Sequence, residues 1–256
     1  MTNDRVIPCV YALLPNKRQD TYDRLFNEII NLAPNAAPQT VLVDFELAPM
    51  NIVRQKFPNA QLKGCYYHFT QNIYRKVQAE GLQVEYTENN DFATAVRMIA
   101  ALAFVPVEDV IAFFEQLRDE LPDKVVPILD YFEDQYIGRR LRRARREPIH
   151  PIELWNMNER AMHDLPKTNN HVEGWHRRLM SAVNGFHPNI WKFLDVLMKD
   201  QGLNDVVAAQ AVAGHDPQPA REQYVQNARR ILNIVADYAN RNIVDYLRGI
   251  TYNIHM

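Results

Sequence analysis

The stretch that most restricts the fold is "QTVLVDFE" (39–46), in which Val41, Leu42 and Val43 form a short, unbroken apolar run that stops at Asp44. A continuous run of this kind suits a strand covered on both faces, as in a parallel sheet, better than the alternating pattern of a half-exposed strand. Upstream, "TYDRLFNEIINLA" (21–33) places Tyr22, Leu25, Phe26, Ile29, Ile30 and Ala33 in the rhythm of an amphipathic helix. Before it, "RVIPCVYALLP" (5–15) reads as a strand, with Pro8 near its start. Downstream come a helix at about 47–57, a strand-like "AQLKGCYYH" (60–68) and a helix ending near Gly81. Strands alternating with helices predict an α/β core with a largely parallel sheet.

From Asp91 the pattern changes to helices alone: "DFATAVRMIAALAF", then "VEDVIAFFEQL" with Val107, Val110, Ile111, Phe114 and Leu117 on one face, then "VPILDYFEDQYIG". The edge of this stretch is "GRRLRRARREP" (138–148), with six arginines, Arg139, Arg140, Arg142, Arg143, Arg145 and Arg146. The expected organisation is therefore an α/β part over 1–90, a helical insert over 91–163 and a helical part over 164–256, where "NARRILNIVADYANRNIVDYLRGI" is the clearest helical stretch.

Twenty-nine basic residues against 31 acidic ones leave a net charge of -2, so any nucleic-acid role rests on local clustering. Two cysteines, Cys9 and Cys65, are too few for a disulfide framework or a four-cysteine zinc site. The apolar runs fall short of the roughly 20 residues of a membrane span. The first residues carry no basic-then-apolar signal, so an intracellular setting without membrane contact is expected.

Four features carry potential chemistry. Asp44 closes a buried-type strand at its carboxyl end, where open α/β sheets gather ligand groups; an Asp there is also a common helix cap. Within "TNNHVEGWH" (168–176), Glu173 flanks the apolar stripe of Val172, Trp175, Leu179 and Ala182, a position from which a carboxylate can look into a cleft. Asn170, three residues earlier, gives it the alternative reading of a capping box. Cys65 and His68 have metal-ligand spacing but supply two ligands where zinc takes three or four; a buried thiol beside a hydrogen-bonded histidine is the rival reading. The arginine tract is suited equally to phosphate contact and to nuclear targeting. Tyr131, Phe132, Tyr136 and Trp155 near it read as core.

Together, "LVDFELAPMNIVRQKFPNAQLKGCYYHFTQNIYRKVQ", "YFEDQYIGRR", "PIELWNM" and "DLPKTNNHVEGWHRRL" resemble, in order and spacing, the catalytic domain of Mutator-like element (MULE) transposases, over nearly the whole chain. The resemblance implies a DDE enzyme with a ribonuclease H-like core, here a partial one with an all-helical insert and a helical carboxyl-terminal region. It implies Mg²⁺ or Mn²⁺ held by carboxylates for cleavage and strand transfer of DNA phosphodiesters. Asp44 matches the second acidic residue of the family and Glu173 the third; Cys65 and His68 match its Cys-x-x-His signature near the active centre.

No acidic residue stands where the resemblance places the first catalytic Asp, upstream of "VIPCVYALLP"; Asp4, Asp20 and Asp23 are in other places. The expectation is an amino-terminally incomplete transposase domain, inactive as this chain alone, that contacts DNA through the arginines and resides in the nucleus. Transposases commonly act as multimers, which makes a homo-oligomer a further expectation. The alternative is a non-catalytic DNA-binding or interaction module derived from a transposase. In a third reading Glu173 does no more than cap a helix.

Overall fold

The computed structural model describes residues 7–142, 144–163, 165, 175, 178–179, 181–183, 189–215 and 222–254. Two units divide the chain, one made of residues 1–34 and 169–221 and the other of residues 35–168 and 222–256.

In the first unit, α1 (Gln19–Leu32) follows Asn16, whose Oδ1 accepts from the Arg18 N–H at 3.0 Å and from the Thr21 hydroxyl at 2.7 Å. The strand expected over 5–15 is not formed among its described residues: 7–14 join no ladder, and Val10, Leu13 and Leu14 are exposed. A strand persists only where a neighbour takes up its N–H and C=O groups, and the described part of this unit contains none. Pro8 removes a further donor. The long helix Ile190–Val212 is capped by Asn189, which accepts from the Lys192 N–H at 2.8 Å. Asp200 on this helix accepts from Trp175 Nε1 at 2.5 Å and from Asn204 Nδ2 at 3.0 Å, and Asn204 also donates to the Tyr11 hydroxyl at 3.1 Å. The apolar stripe after the "TNNHVEGWH" motif runs through Trp175, Leu179 and Val183, the last two buried; Ala182, expected on it, is exposed.

The second unit is a mostly helical α/β arrangement with a small parallel sheet. β1 (Thr40–Val43) and β2 (Gln61–Gly64) pair from Thr40↔Gln61 to Val43↔Gly64, joined by α2 (Leu47–Lys56) as crossover. The sheet has two strands among the described residues, fewer than the largely parallel sheet predicted. The strand-like stretch 60–68 is also shorter than its composition implied. It ends at Gly64, because Tyr66, Phe69, Ile73 and Val77 recur at helical spacing and bury one face of α3 (Tyr66–Ala79). Gly81, at φ +71°, ends that helix as the left-handed residue after its cap.

A bundle of helices follows: α4 (Gln83–Glu88), α5 (Asn90–Ala101), α6 (Val110–Glu120) and α7 (Val126–Phe132). Asn89 starts α5 by accepting from the Asp91 and Phe92 N–H groups, both at 3.1 Å. The buried end of α5 runs into a 3₁₀ turn, Leu102–Phe104, whose carbonyls need donors. They come from the segment "WNMN": Met157 N–H to Ala103 at 2.6 Å, Asn156 Nδ2 to Val105 and Asn158 Nδ2 to Phe104, both at 2.7 Å. The Tyr246 hydroxyl adds a second donor to Phe104 at 2.6 Å. Short helices α8 (Ile152–Trp155) and α9 (Asn158–Met162) and the late helices Glu222–Ala236 and Ile243–Thr251 complete the unit.

Past α7 the chain makes one π-helical turn, Glu133–Ile137, closed by the Gly138 N–H on the Glu133 carbonyl at 2.7 Å. Gly138 has φ +84°, and a Cβ there would lie 1.7 Å from the Arg146 carbonyl oxygen, so no larger residue fits without moving the backbone. Gly138→Ala is expected to lower stability by roughly 2–5 kcal/mol, combining left-handed strain with overpacking. Urea unfolding of the two proteins measures this, and an unchanged midpoint would show that the turn is not built as described.

Candidate functional site

The parallel pairing brings the carboxyl ends of β1 and β2 together, and the residues just beyond them form a polar corner. Asp44 leaves β1, Cys65 leaves β2 with its N–H on the Val43 carbonyl at 2.9 Å, and His68 sits in the first turn of α3. Nδ1 of His68 lies 2.8 Å from Asp44 Oδ1. Asp44, Cys65 and His68 are therefore gathered at one place, and Cys65 is fully buried. The Asp44 carboxylate, followed by the Cys65 sulfur, pushes the His68 imidazole up to about 10, against the opposing effect of burial.

The corner is held from behind. Phe45, next to Asp44, turns its ring into the core against Phe69, Tyr136 and His150. Gly64 leaves room for that ring: a Cβ there would meet Phe45 at 2.6 Å. Arg160 of α9 reaches under β2 and donates Nη1 to the Gly64 carbonyl at 2.9 Å, almost entirely buried, and burial lowers its guanidinium to about 10. Neither Arg160 nor the buried His150, held down at about 4 by desolvation, was marked by sequence reasoning. "HPIELW" and "NERAM" carry no local motif that separates a supporting residue from a surface one.

Glu173 and Asn170, together with His171, lie outside the described residues. Mg²⁺ and Mn²⁺ take oxygen ligands, whereas the donors that meet at the corner are one carboxylate, one imidazole and one thiol. Among the described residues no group of three or more His, Cys, Asp and Glu side chains is arranged to hold a metal ion. The described corner thus does not by itself fit a hard divalent cation.

Arg139, Arg140, Arg142, Arg145 and Arg146, the described arginines of the tract, lie in a tight reverse turn between the π-helical turn and Pro148. Arg140 and Arg145 form an antiparallel bridge, the Leu141 N–H meets the Ala144 carbonyl at 2.7 Å and the Arg146 N–H meets the Arg139 carbonyl at 2.9 Å. The tract divides by contact. Arg145 donates to Glu115 at 2.6 Å, to Glu133 at 2.9 Å and to the Gly138 carbonyl at 2.7 Å. Arg139 pairs with Asp134, and Arg140 stands 3.5 Å from Glu115. Arg142 and Arg146 are exposed, and Arg143 lies outside the described residues.

The model of the MULE transposase domain family matches residues 1–72, a span containing Asp44, Cys65 and His68 and ending within α3. Through that segment the chain is a MULE transposase-related protein. Neither a curated protein nor a solved structure matches it. No helix among the described residues is long and apolar enough to cross a membrane.

The Asp44–His68 contact makes a pH-dependent prediction. A histidine whose folded value lies above the ordinary one near 6.5 stabilises the fold fully below that pH and loses the contribution as the pH climbs towards 10. Titration of His68 by NMR is expected to show a value far above 6.5, with Asp44→Asn bringing it down. A parent value at the ordinary position would mean that the pair is not made in solution.

Proposed function

We propose that the chain is a transposase-derived domain that handles DNA. Support comes from the family match over residues 1–72, within which Asp44 closes a parallel strand beside Cys65 and His68 at the carboxyl edge of the sheet. That edge is where α/β sheets present functional groups. The arginine turn supplies guanidinium groups suited to phosphate oxygens. A ribonuclease H-like core and nuclear residence are parts of this reading that rest on the resemblance and on the basic tract.

Two finer readings differ at Asp44. In the catalytic one, Asp44 and Glu173 are metal carboxylates, and the bound Mg²⁺ or Mn²⁺ would supply activation of an attacking hydroxyl and neutralisation of the leaving oxygen. In the non-catalytic one, Asp44 is a structural tie to His68 and the domain binds DNA or another partner without cutting. The observation favouring the second is that the described Asp44 carboxylate already faces His68 at 2.8 Å.

Calorimetry with Mn²⁺ separates them. Under the catalytic reading the parent chain binds the ion, and both Asp44→Asn and Glu173→Gln lower affinity at least tenfold. An absence of binding in the parent, or binding unchanged in both variants, supports the structural tie. DNA handling itself is tested by anisotropy with a labelled duplex at increasing salt. If five or so phosphates are contacted, log K is expected to fall with log salt at a slope of about -4 to -5. Salt-insensitive binding would remove the arginines from the interface.

A further inference from the structure

The arginine tract is a built projection in which one set of arginines holds the turn and another faces outward around an apolar residue. Arg145 is the anchor: its side chain is 16% exposed and is locked between Glu115 and Glu133. Glu133 is itself buried and also accepts from Arg118 at 3.2 Å and from the Arg140 N–H at 3.4 Å. Gly138 lets the returning strand pass against the π-helical turn with no side chain between them.

The outward side is different. The Arg140 side chain, although its Nη1 stands 3.5 Å from Glu115, is 75% exposed, and Leu141 is 59% exposed with arginines on both sides. Arg142 makes no ion pair with a described residue, and Arg146 is exposed on the returning arm. An exposed leucine set among cations on a narrow, internally braced turn is the combination used to wedge a base step. The cations hold the two phosphate backbones while the apolar side chain enters the groove and partly unstacks adjacent pairs.

We infer that the turn spanning Arg139–Arg146 is a finger for double-stranded DNA, in which Leu141 is the wedge, Arg140, Arg142 and Arg146 are the phosphate contacts, and Arg145 with Glu133 is the internal brace. The inference rests on the DNA-handling reading above and adds to it a mode of engagement, deformation of the duplex at a flexible step. Pyrimidine–purine steps unstack most readily and are the sites the finger favours.

The test uses the full chain and a duplex carrying 2-aminopurine beside a central TA step, read by fluorescence, with affinity measured by anisotropy on the same duplex. The parent is expected to raise 2-aminopurine emission at least twofold on saturation. Leu141→Ala is expected to bind within about threefold of the parent and lose most of that rise. Leu141→Phe, which keeps an apolar wedge, is expected to retain it. Arg142→Ala and Arg146→Ala are expected to keep the rise at saturation and each to reduce the salt slope by about 1. Leu141 is on the surface, so its variants fold; matching thermal melts confirm this.

A rise preserved in Leu141→Ala, or salt slopes unchanged in both arginine variants, overturns the finger while leaving DNA handling intact. A parent that does not bind the duplex overturns the DNA-handling reading and the finger with it.

Discussion

The corner that carries Asp44, Cys65 and His68 depends on a single stacked pair, Phe69 on Trp155, with ring centroids 5.1 Å apart and planes within 9°. Phe69 lies on α3 one residue past His68, and Trp155 ends α8, the helix that packs along β2. Around them Phe132 and Tyr136 pack edge-on, and Phe45 tilts against Phe69 and meets Tyr136 edge-on, so the strand ends, the helix bearing His68 and the helical body share one aromatic core. Each such contact contributes about 0.5–1.5 kcal/mol beyond the area it buries. The more important effect is geometric. Phe45 directs its ring inward, which leaves its neighbour Asp44 at the edge, and Phe69 fixes the rotation of α3 that brings His68 to that carboxylate.

The backbone accounting supports the same arrangement. Parallel sheets are normally covered on both faces and contain more than two strands. Here the second strand is held at its outer edge by helices: the Gly64 carbonyl accepts from Arg160, and Lys63 Nζ lies 3.4 Å from the Glu153 carbonyl. The same helical segment returns to satisfy the carbonyls at the end of α5 through Asn156 and Asn158. A polar side chain buried without a partner would cost about 1–3 kcal/mol. "PIELWNMNER" thus serves sheet and bundle together, and a change in it acts on both.

Much of this was legible in the sequence because it is periodic. The spacing of Val110, Phe114 and Leu117 marked α6 and the unbroken run of Val41–Val43 marked β1, while Phe132, Tyr136 and Trp155 are buried as their surroundings implied and Tyr131 is half-buried against them. What escaped depends on pairing between segments far apart in the chain. The stretch 7–14 has strand composition but joins no ladder, because composition does not supply a neighbour. The strand pattern continued through Cys65 to His68, yet the helical spacing of Tyr66, Phe69 and Ile73 governs the backbone there. Asp44 and His68 were each visible as candidates, while their contact at 2.8 Å required the register of β1 on β2. Arg160 gave no sign at all, since a buried arginine and an exposed one read alike.

The arginine tract shows why a run of like charge is a poor guide to its own role. Six guanidinium groups in eight positions repel one another unless anions are close, and the fold provides them from three elements: Glu115 on α6, Asp130 on α7, and Glu133 and Asp134 in the π-helical turn. Arg118 shares the same acids, pairing with Asp130 and Glu133. The local field is thus near balance at the base of the turn and positive at its end, where Arg142 has no acidic partner among the described residues. Neutralising the whole tract would therefore merge two effects, loss of the brace and loss of the outward charge. Only substitutions that respect this division separate a folding defect from a binding one, because breaking a buried pair such as Arg145 with Glu133 leaves an uncompensated charge, whereas trimming an exposed arginine leaves the base of the turn as it was.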